Sequence, residues 1–281
     1  MPTVPPNPQS LRRLIVNADD FGRSHSINEA VARAHRDGIL TSASLMVNEP
    51  ACAGAVALAR ENPGLGVGLH LALVRGKSAL SPDKIPGLVN GRGEFSDRPI
   101  VVGMRYFFNR DLQVQLRAEI HAQFEKFRAT GLPLDHVNGH LHLHLHPAVF
   151  RILMEDAAML GVRHLRLTRE PFWMDVPLAQ GSRLHRSKDA AIFFLLSWRA
   201  GRALRRMKIR HTQRVFGLLQ NARVNEACLL RLLAILPSGD SELYSHPSLD
   251  EGKHELDALI SPLVRKRIEE LGIKLIRYQD L

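Results

Sequence analysis

The stretch from Leu14 to Gly38, LIVNADDFGRSHSINEAVARAHRDG, decides the fold class. Leu14 to Asn17 is a short apolar run that predicts a buried strand, and the turn after it leads into residues of helical period. Ile27, Ala30, Val31 and Ala34 share one apolar face, Ser26 with Glu29 forms a capping box at its start, and Gly38 marks its end. A buried strand feeding an amphipathic helix is half of a βαβ unit, and the same alternation continues down the chain.

Ser42 to Val47 reads as a strand, Ala51 to Arg60 as a helix closed by Asn62, Pro63 and Gly64, and Gly66 to Leu73 as another strand. A Gly/Pro/Ser-rich loop from about Arg75 to Arg98 is longer than a plain connection, which predicts a lid with a substrate beneath it. Beyond it, Asp111 to Thr130 is helical, Leu134 to Asn138 a strand, and Pro147 opens a helix running to Met159 before Gly161. Val162 to Leu167 is a strand, Asn225 to Leu236 a helix, Glu242 to Ser245 a strand, Pro262 to Leu271 a helix, and Ile273 to Ile276 a closing strand. About seven strands alternating with helices predict an α/β fold, a distorted (β/α) barrel of about seven parallel strands.

With 281 residues, 45% hydrophobic and 23% charged, the chain is an ordinary globular sequence, and whole-chain disorder, collagen and coiled coil are excluded. Residues 1–10, MPTVPPNPQS, read as a flexible lead-in and not a signal peptide, and residues 11–281 as one barrel domain. Cys52 and Cys228 are too few and too far apart for a disulfide framework or a thiolate metal site, which fits core thiols in a reducing compartment. The longest apolar run, Ala190 to Leu196, has seven residues against the roughly 20 that a spanning helix requires. Of the net charge of +10, ten basic residues against Asp189 alone, +9, fall between Arg183 and Arg214. This segment predicts a basic helical insertion at about 183–215.

Four strand ends carry residues able to do chemistry. Asp19 and Asp20 follow the first strand, where two acids can divide the work of binding a cation and moving a proton; such pairs also serve as plain turn and cap residues. His70 ends GVGLHL. In NGHLHLHLHP, the histidines at 140, 142, 144 and 146 alternate with leucines, so an extended strand would put all four on one face. At ~3.3 Å per residue they would spread over about 20 Å, so one ion meets one or two of them. His140 is the first choice and His144 the second; the later ones also suit a lid or a helix entry. Asp20, His70 and His140 then supply one oxygen and two nitrogens, a set that leaves positions open for water and substrate. His246, in ELYSHP, ends a late strand, where an imidazole can protonate a leaving group near neutrality.

The ordered strings IVNADDFGRSHSINEAV, GILTSASLMVN, VGLHLAL, HVNGHLHLH and ELYSHP together resemble the YdjC-type carbohydrate deacetylases, more particularly the branch associated with hopanoid biosynthesis. The resemblance runs from about Leu11 to the C-terminus, apart from the basic insertion. It implies a distorted (β/α) barrel and removal of the acetyl group from an N-acetylated sugar with a divalent ion. It also implies Asp20, His70 and His140 as metal ligands, Asp19 as the base and His246 as the acid. One departure stands out: where the family commonly shows Asp-Ser before the ligand histidine, this chain has Asn138 and Gly139, so a carboxylate that would orient the site is absent. Two nitrogens and one carboxylate suit zinc, cobalt or iron by softness, while the resemblance also admits magnesium.

The expected function is therefore metal-dependent hydrolysis of an acetamide, with N-acetylglucosamine carried on a hopanoid lipid as the substrate. A phosphoester hydrolase is the enzymatic rival, and a protein binding nucleic acid or membrane the non-enzymatic one. In the basic segment, Phe193, Leu196, Ala200, Ala203, Leu204 and Met207 share one helical face and Arg199, Arg202 and Arg206 another. That pattern suits a solvated face on the barrel or an anionic membrane surface met through Arg183–Arg214. Nucleic acid fits less well, since no recognised motif accompanies the charge. The chain is expected to be cytoplasmic, peripheral to the inner face of the membrane, and compatible with a homo-oligomer.

Overall fold

In the computed structural model, which describes residues 11–170, 183–218 and 224–281, the spine is β1 (Arg12–Phe21), buried from Leu14 onward. Its side chains alternate: Leu14, Val16 and Ala18 join the main apolar core under the helices, while Asn17 and Asp19 point into the barrel. The expected lead-in, 1–10, lies outside the described residues. Among the described residues six further strands follow: β2 (Ser42–Leu45), β3 (Gly66–Leu71), β4 (Val137–Gly139), β5 (Arg214–Phe216), β6 (Gly239–Ser245) and β7 (Lys274–Leu275). All pairings are parallel, in the order β4-β3-β2-β1-β6-β5.

Residues 163–169 close the ring between β4 and β5. Val137 N–H donates to His164 O at 3.0 Å and Arg166 N–H to Val137 O at 3.0 Å. On the far side Leu165 N–H donates to Arg210 O at 3.1 Å and Val215 N–H to Arg169 O at 3.0 Å. The segment read as a strand at Val162 to Leu167 thus works as an irregular stave, and the barrel is distorted there. β7 pairs only with Arg13 and Leu14 of β1, below the point where β2 begins to pair at Asn17, so the long central strand keeps no bare edge. Next, a 3-10 turn, Tyr278–Asp280, closes the lower end, with Tyr278 fully buried and stacked on His136 at 4.3 Å.

The helices are α1 (His25–Asp37), α2 (Cys52–Glu61), α3 (Pro99–Phe108), α4 (Arg110–Ala129), α5 (Pro147–Glu155), α6 (Ala157–Leu160), α7 (Arg183–Arg206), α8 (Glu226–Ile235), α9 (Lys253–Leu259) and α10 (Pro262–Glu270). Apolar side chains fill the layer between helices and strands, whereas the barrel interior is polar and tight. Gly66 and Gly68 show how tight: a Cβ there would lie 2.7 Å from Asp135 and 2.5 Å from the His136 ring.

Several local expectations are corrected. Ser24, not Ser26, caps α1, accepting from Ile27 N–H at 3.2 Å; the Ser26 hydroxyl instead accepts from Leu249 N–H. The helix from Pro147 breaks at Asp156 into α5 and α6, and Gly161, at φ 74°, ends the second. The histidine run does not extend as a strand. β4 ends at Gly139, where its partner β3 ends, and the chain turns through Leu141 and His142 at φ 51° and 57°. Those left-handed residues send the four imidazoles in different directions. The 75–98 loop is packed down on α4: Ile85, Leu88 and Phe95 are buried, and the Glu119 carboxylate accepts from Ala79 and Leu80 N–H at 2.7 and 3.0 Å. α3, just beyond it, had no counterpart in the sequence reading.

Candidate active site

The Asp-Asp-Phe-Gly turn is shaped by backbone conformations that few residues adopt. Asp20 has φ 62°, tolerable because a short polar side chain can stabilise that region, and Gly22 has φ 94° with no room for a Cβ beside Leu45 and Met46 O. Asn28 of α1 holds the turn down, accepting from Gly22 N–H at 2.8 Å and donating to Ala51 O at 2.9 Å. As a result Asp19 points into the barrel while Asp20 turns toward β3 and β4.

Asp20 Oδ1 lies 3.3 Å from His70 Nε2 and 3.0 Å from His140 Nδ1. One ligand atom from each of the three residues falls within 4.8 Å of the others, and all three side chains are buried. Arg23 donates to the other oxygen, Oδ2, at 2.8 Å, which leaves Oδ1 to face the histidines. Burial would raise the Asp20 carboxyl, but hydrogen bonds from His140 and His70 hold it well below the usual carboxylate range.

Asn138 sets the tautomer of His70. Its amide nitrogen lies 3.0 Å from Asp19 Oδ1 and 2.8 Å from Ser44 Oγ. An ionised carboxylate only accepts, so the amide must donate there and its oxygen must accept from His70 Nδ1, at 2.7 Å. Nδ1 then carries a proton, and Nε2, the nitrogen facing Asp20, is the one that can exchange that hydrogen bond for an ion. The departure from the family pattern therefore leaves no gap, because the Asn138 amide accepts from His70 and donates to Asp19 at once. A buried one-carboxylate, two-imidazole set with a tautomer fixed in this way fits a divalent cation.

Asp19 is held from below by Arg166, which is fully buried and was not singled out in the sequence. Arg166 Nη1 and Nη2 donate to Asp19 Oδ2 and Oδ1 at 2.6 and 3.0 Å, and its Nε donates to Glu242 Oε1 at 2.9 Å. Burial would raise the Asp19 carboxyl, yet the charge of Arg166 and the neighbouring His70 keep it far below the usual range. Oδ1 also accepts from Asn17 and Asn138, at 2.9 and 3.0 Å, and is saturated with three donors. Oδ2 has one donor among the described residues and can accept another proton.

A cleft of about 260 Å³ opens over this cluster, lined by Asp19, His70, His140, Leu141, His142, Phe193, Tyr244 and His246 among others. His246, just past β6, thus faces the same space as Asp19. No residue of the 75–98 loop lines it among the described residues, so that loop does not cover this cleft. The other histidines of the run do not join the ion site. His142 shares its Nε2 with the Tyr244 hydroxyl at 3.0 Å and its Nδ1 with the Thr168 hydroxyl at 3.3 Å. His144, the second choice for a ligand, donates from Nε2 to Arg166 O at 2.9 Å. Burial, reinforced for His142 by the Arg166 charge, pushes His142 well below its ordinary value and His144 down to about 3. His146 meets Tyr106 and Phe107 of α3.

Fold and site together define a (β/α)-barrel protein with a candidate divalent-metal centre at the C-terminal ends of its strands. The YdjC-like protein family model matches residues 13–270, and the chain belongs to that family. It is 43% identical over 145 residues to a carbohydrate deacetylase of Brevibacillus brevis, covering 52% of this chain and 55% of that protein. To a carbohydrate deacetylase of Geobacillus stearothermophilus it is 38% identical over 161 residues, covering 56% and 62%. The matched region thus spans little more than half the length of these curated relatives. The crystal structure of an Enterococcus faecalis protein named for cellobiose-phosphate cleavage shares the fold, with TM-score 0.75 and 23% identity over 96% of this chain and 99% of that one.

Proposed function

We propose that the protein is a metal-dependent carbohydrate deacetylase that hydrolyses the acetamide of an N-acetylated sugar. Asp20, His70 and His140 hold the divalent ion, with zinc favoured over magnesium by ligand softness. The observation that carries this reading is the single open position on Asp19 Oδ2, beside three convergent ligand atoms at the floor of a cleft. The names of the curated relatives support the same reaction class.

A divalent ion bound there supplies polarisation of the acetamide carbonyl and acidifies a water. Asp19 Oδ2 takes the proton of the attacking water, and Arg166 keeps that carboxylate ionised and pointed upward. His246 gives a proton to the departing amine, so acetate and a free amino sugar leave. His142 and Tyr244, hydrogen-bonded to each other, line one side of the cleft as neutral groups.

The substrate we favour is N-acetylglucosamine carried on a hopanoid lipid, met in the cytoplasm at the inner face of the membrane. The ordered motifs and the basic segment Arg183–Arg214 support it. Acetate release from the glycolipid, measured with zinc or magnesium, tests the reaction, and phosphate release from phosphoesters tests the rival. Asp19→Asn is expected to lower turnover about 10²–10⁴-fold with metal content unchanged. Parental turnover in that variant overturns the assignment of the base.

A further inference from the structure

Helices α3 and α7 stand on either side of the histidine turn at the cleft. Phe107 of α3 meets His146 with ring centroids 6.3 Å apart, and Phe193 of α7 meets His142 at 5.3 Å. Both helices also turn large apolar side chains outward. On α3, Ile100, Phe107 and Phe108 are 82%, 51% and 71% exposed; on α7, Phe194, Leu195 and Trp198 are 57%, 65% and 52% exposed. Leu141, in the turn between them, is also exposed and lines the cleft. Scattered exposed apolar residues are ordinary, but a clustered set marks an interface.

The charge around the cluster narrows the partner. Residues 97–111 carry Arg98, Arg105 and Arg110 against Asp97 and Asp111, and residues 189–206 carry Arg199, Arg202, Arg205 and Arg206 against Asp189, so the positive charge is strongest on α7. The Arg202 guanidinium lies 4.1 Å over the Trp198 ring, an aromatic-cation pair suited to a headgroup boundary. We propose that α3, Leu141 and α7 form one docking face for an anionic lipid bilayer, and that the cleft opens onto the lipid through it. A two-fold contact with a second copy would set these arginines against themselves. Nucleic acid would take up the charge and leave the aromatic and aliphatic side chains in water. No helix among the described residues is long and apolar enough to cross a membrane, so the face lies on the bilayer.

The basic segment alone did not include α3, which carries the most exposed of these side chains. The inference rests on the deacetylase reading only for the use made of the cleft; the lipid contact does not require it. The test uses the full chain with Trp173→Phe, which leaves Trp198 as the sole tryptophan of the two. Phosphatidylcholine vesicles with and without phosphatidylglycerol are added across a salt series. The expected result is co-sedimentation and a blue-shifted emission with the anionic vesicles, weakening as salt rises. Phe108→Ser with Leu195→Ser should weaken vesicle binding roughly tenfold, with acetate release from a soluble N-acetylated sugar unchanged. Asp19→Asn should bind vesicles like the parent, so failure of the chemistry and failure of the docking face separate. Absence of binding at every phosphatidylglycerol fraction overturns the proposal. So does a dimer that Phe108→Ser dissolves and vesicles do not compete away.

Discussion

Two histidine-carboxylate clusters occupy the same barrel, one at each end of β4, and only the upper one has anything left to offer. In the lower cluster His136 spends Nδ1 on Asp135, at 3.0 Å, and Nε2 on Ser44, at 2.9 Å, under the stacked ring of Tyr278. In the upper one His70 spends Nδ1 on Asn138 and keeps Nε2 toward Asp20. Ser44 joins them: its oxygen accepts from the amides of Asn17 and Asn138 at 2.9 and 2.8 Å, so its proton goes to His136. The two sets share residue types and burial, and what separates them is a ring nitrogen that faces a neighbouring ligand set and is not tied to the frame of the barrel. Composition of a buried cluster is therefore a poor guide to chemistry, and the direction of each hydrogen bond is a better one.

The sharpest break in this comparison comes from Arg166, which holds Asp19 of the upper cluster directly and reaches the lower one through Glu242 and Tyr278. Arg166→Met leaves Asp19 and Glu242 buried without their cation and should destabilise the fold by about 3–5 kcal/mol in urea titrations. A loss below about 1 kcal/mol would mean that water or movement of the chain already relieves those carboxylates. A matched pair of variants contrasts the two ends directly. Asn138→Leu removes the acceptor for His70 and the donor to Asp19, and should weaken zinc binding about 10–100-fold by calorimetry. His136→Gln should leave zinc affinity alone and lose about 1–3 kcal/mol of stability. Equal effects on zinc from both would erase the distinction.

The smallest effect concerns His144, which hydrogen-bonds to Arg166 O above the same floor. Its folded value of about 3 lies below the ~6.5 of an unfolded histidine, so the unfolded chain binds the extra proton between these limits. The stability contributed by the neutral ring is complete above pH ~6.5 and falls by up to ~1.4 kcal/mol per pH unit as acid is added. His144→Gln should flatten the dependence of unfolding free energy on pH between 7 and 5 by that share. An unchanged slope would show that His144 is already neutral, or already charged, in both states.

Much of the frame was legible. The strand-turn-helix opening, the glycine-rich approach to His70 and the strand before His246 are local patterns, and the parallel barrel follows from their alternation. Arg166 was hidden by a sign convention. In RHLRLT the leucines alternate with polar residues, and the polar face of a strand is ordinarily assigned to water. In this small barrel the polar face is the interior, packed with Arg166 and Thr168, while Leu165 and Leu167 lie under the helices. The lid expectation failed because it rested on length and composition, whereas Glu119 pins the start of that loop through two backbone amides. The histidine run misled for a similar reason: its period of two is exact in sequence, but β3 offers β4 only three residues to pair with.

That broken run has a practical side. Four imidazoles within seven residues look like a built-in affinity tag, yet in the folded chain His140 faces Asp20, His142 a tyrosine, His144 a carbonyl and His146 a helix. The segment becomes a multidentate chelator for a nickel resin only after denaturation, and retention on such a resin would report the loss of tertiary structure.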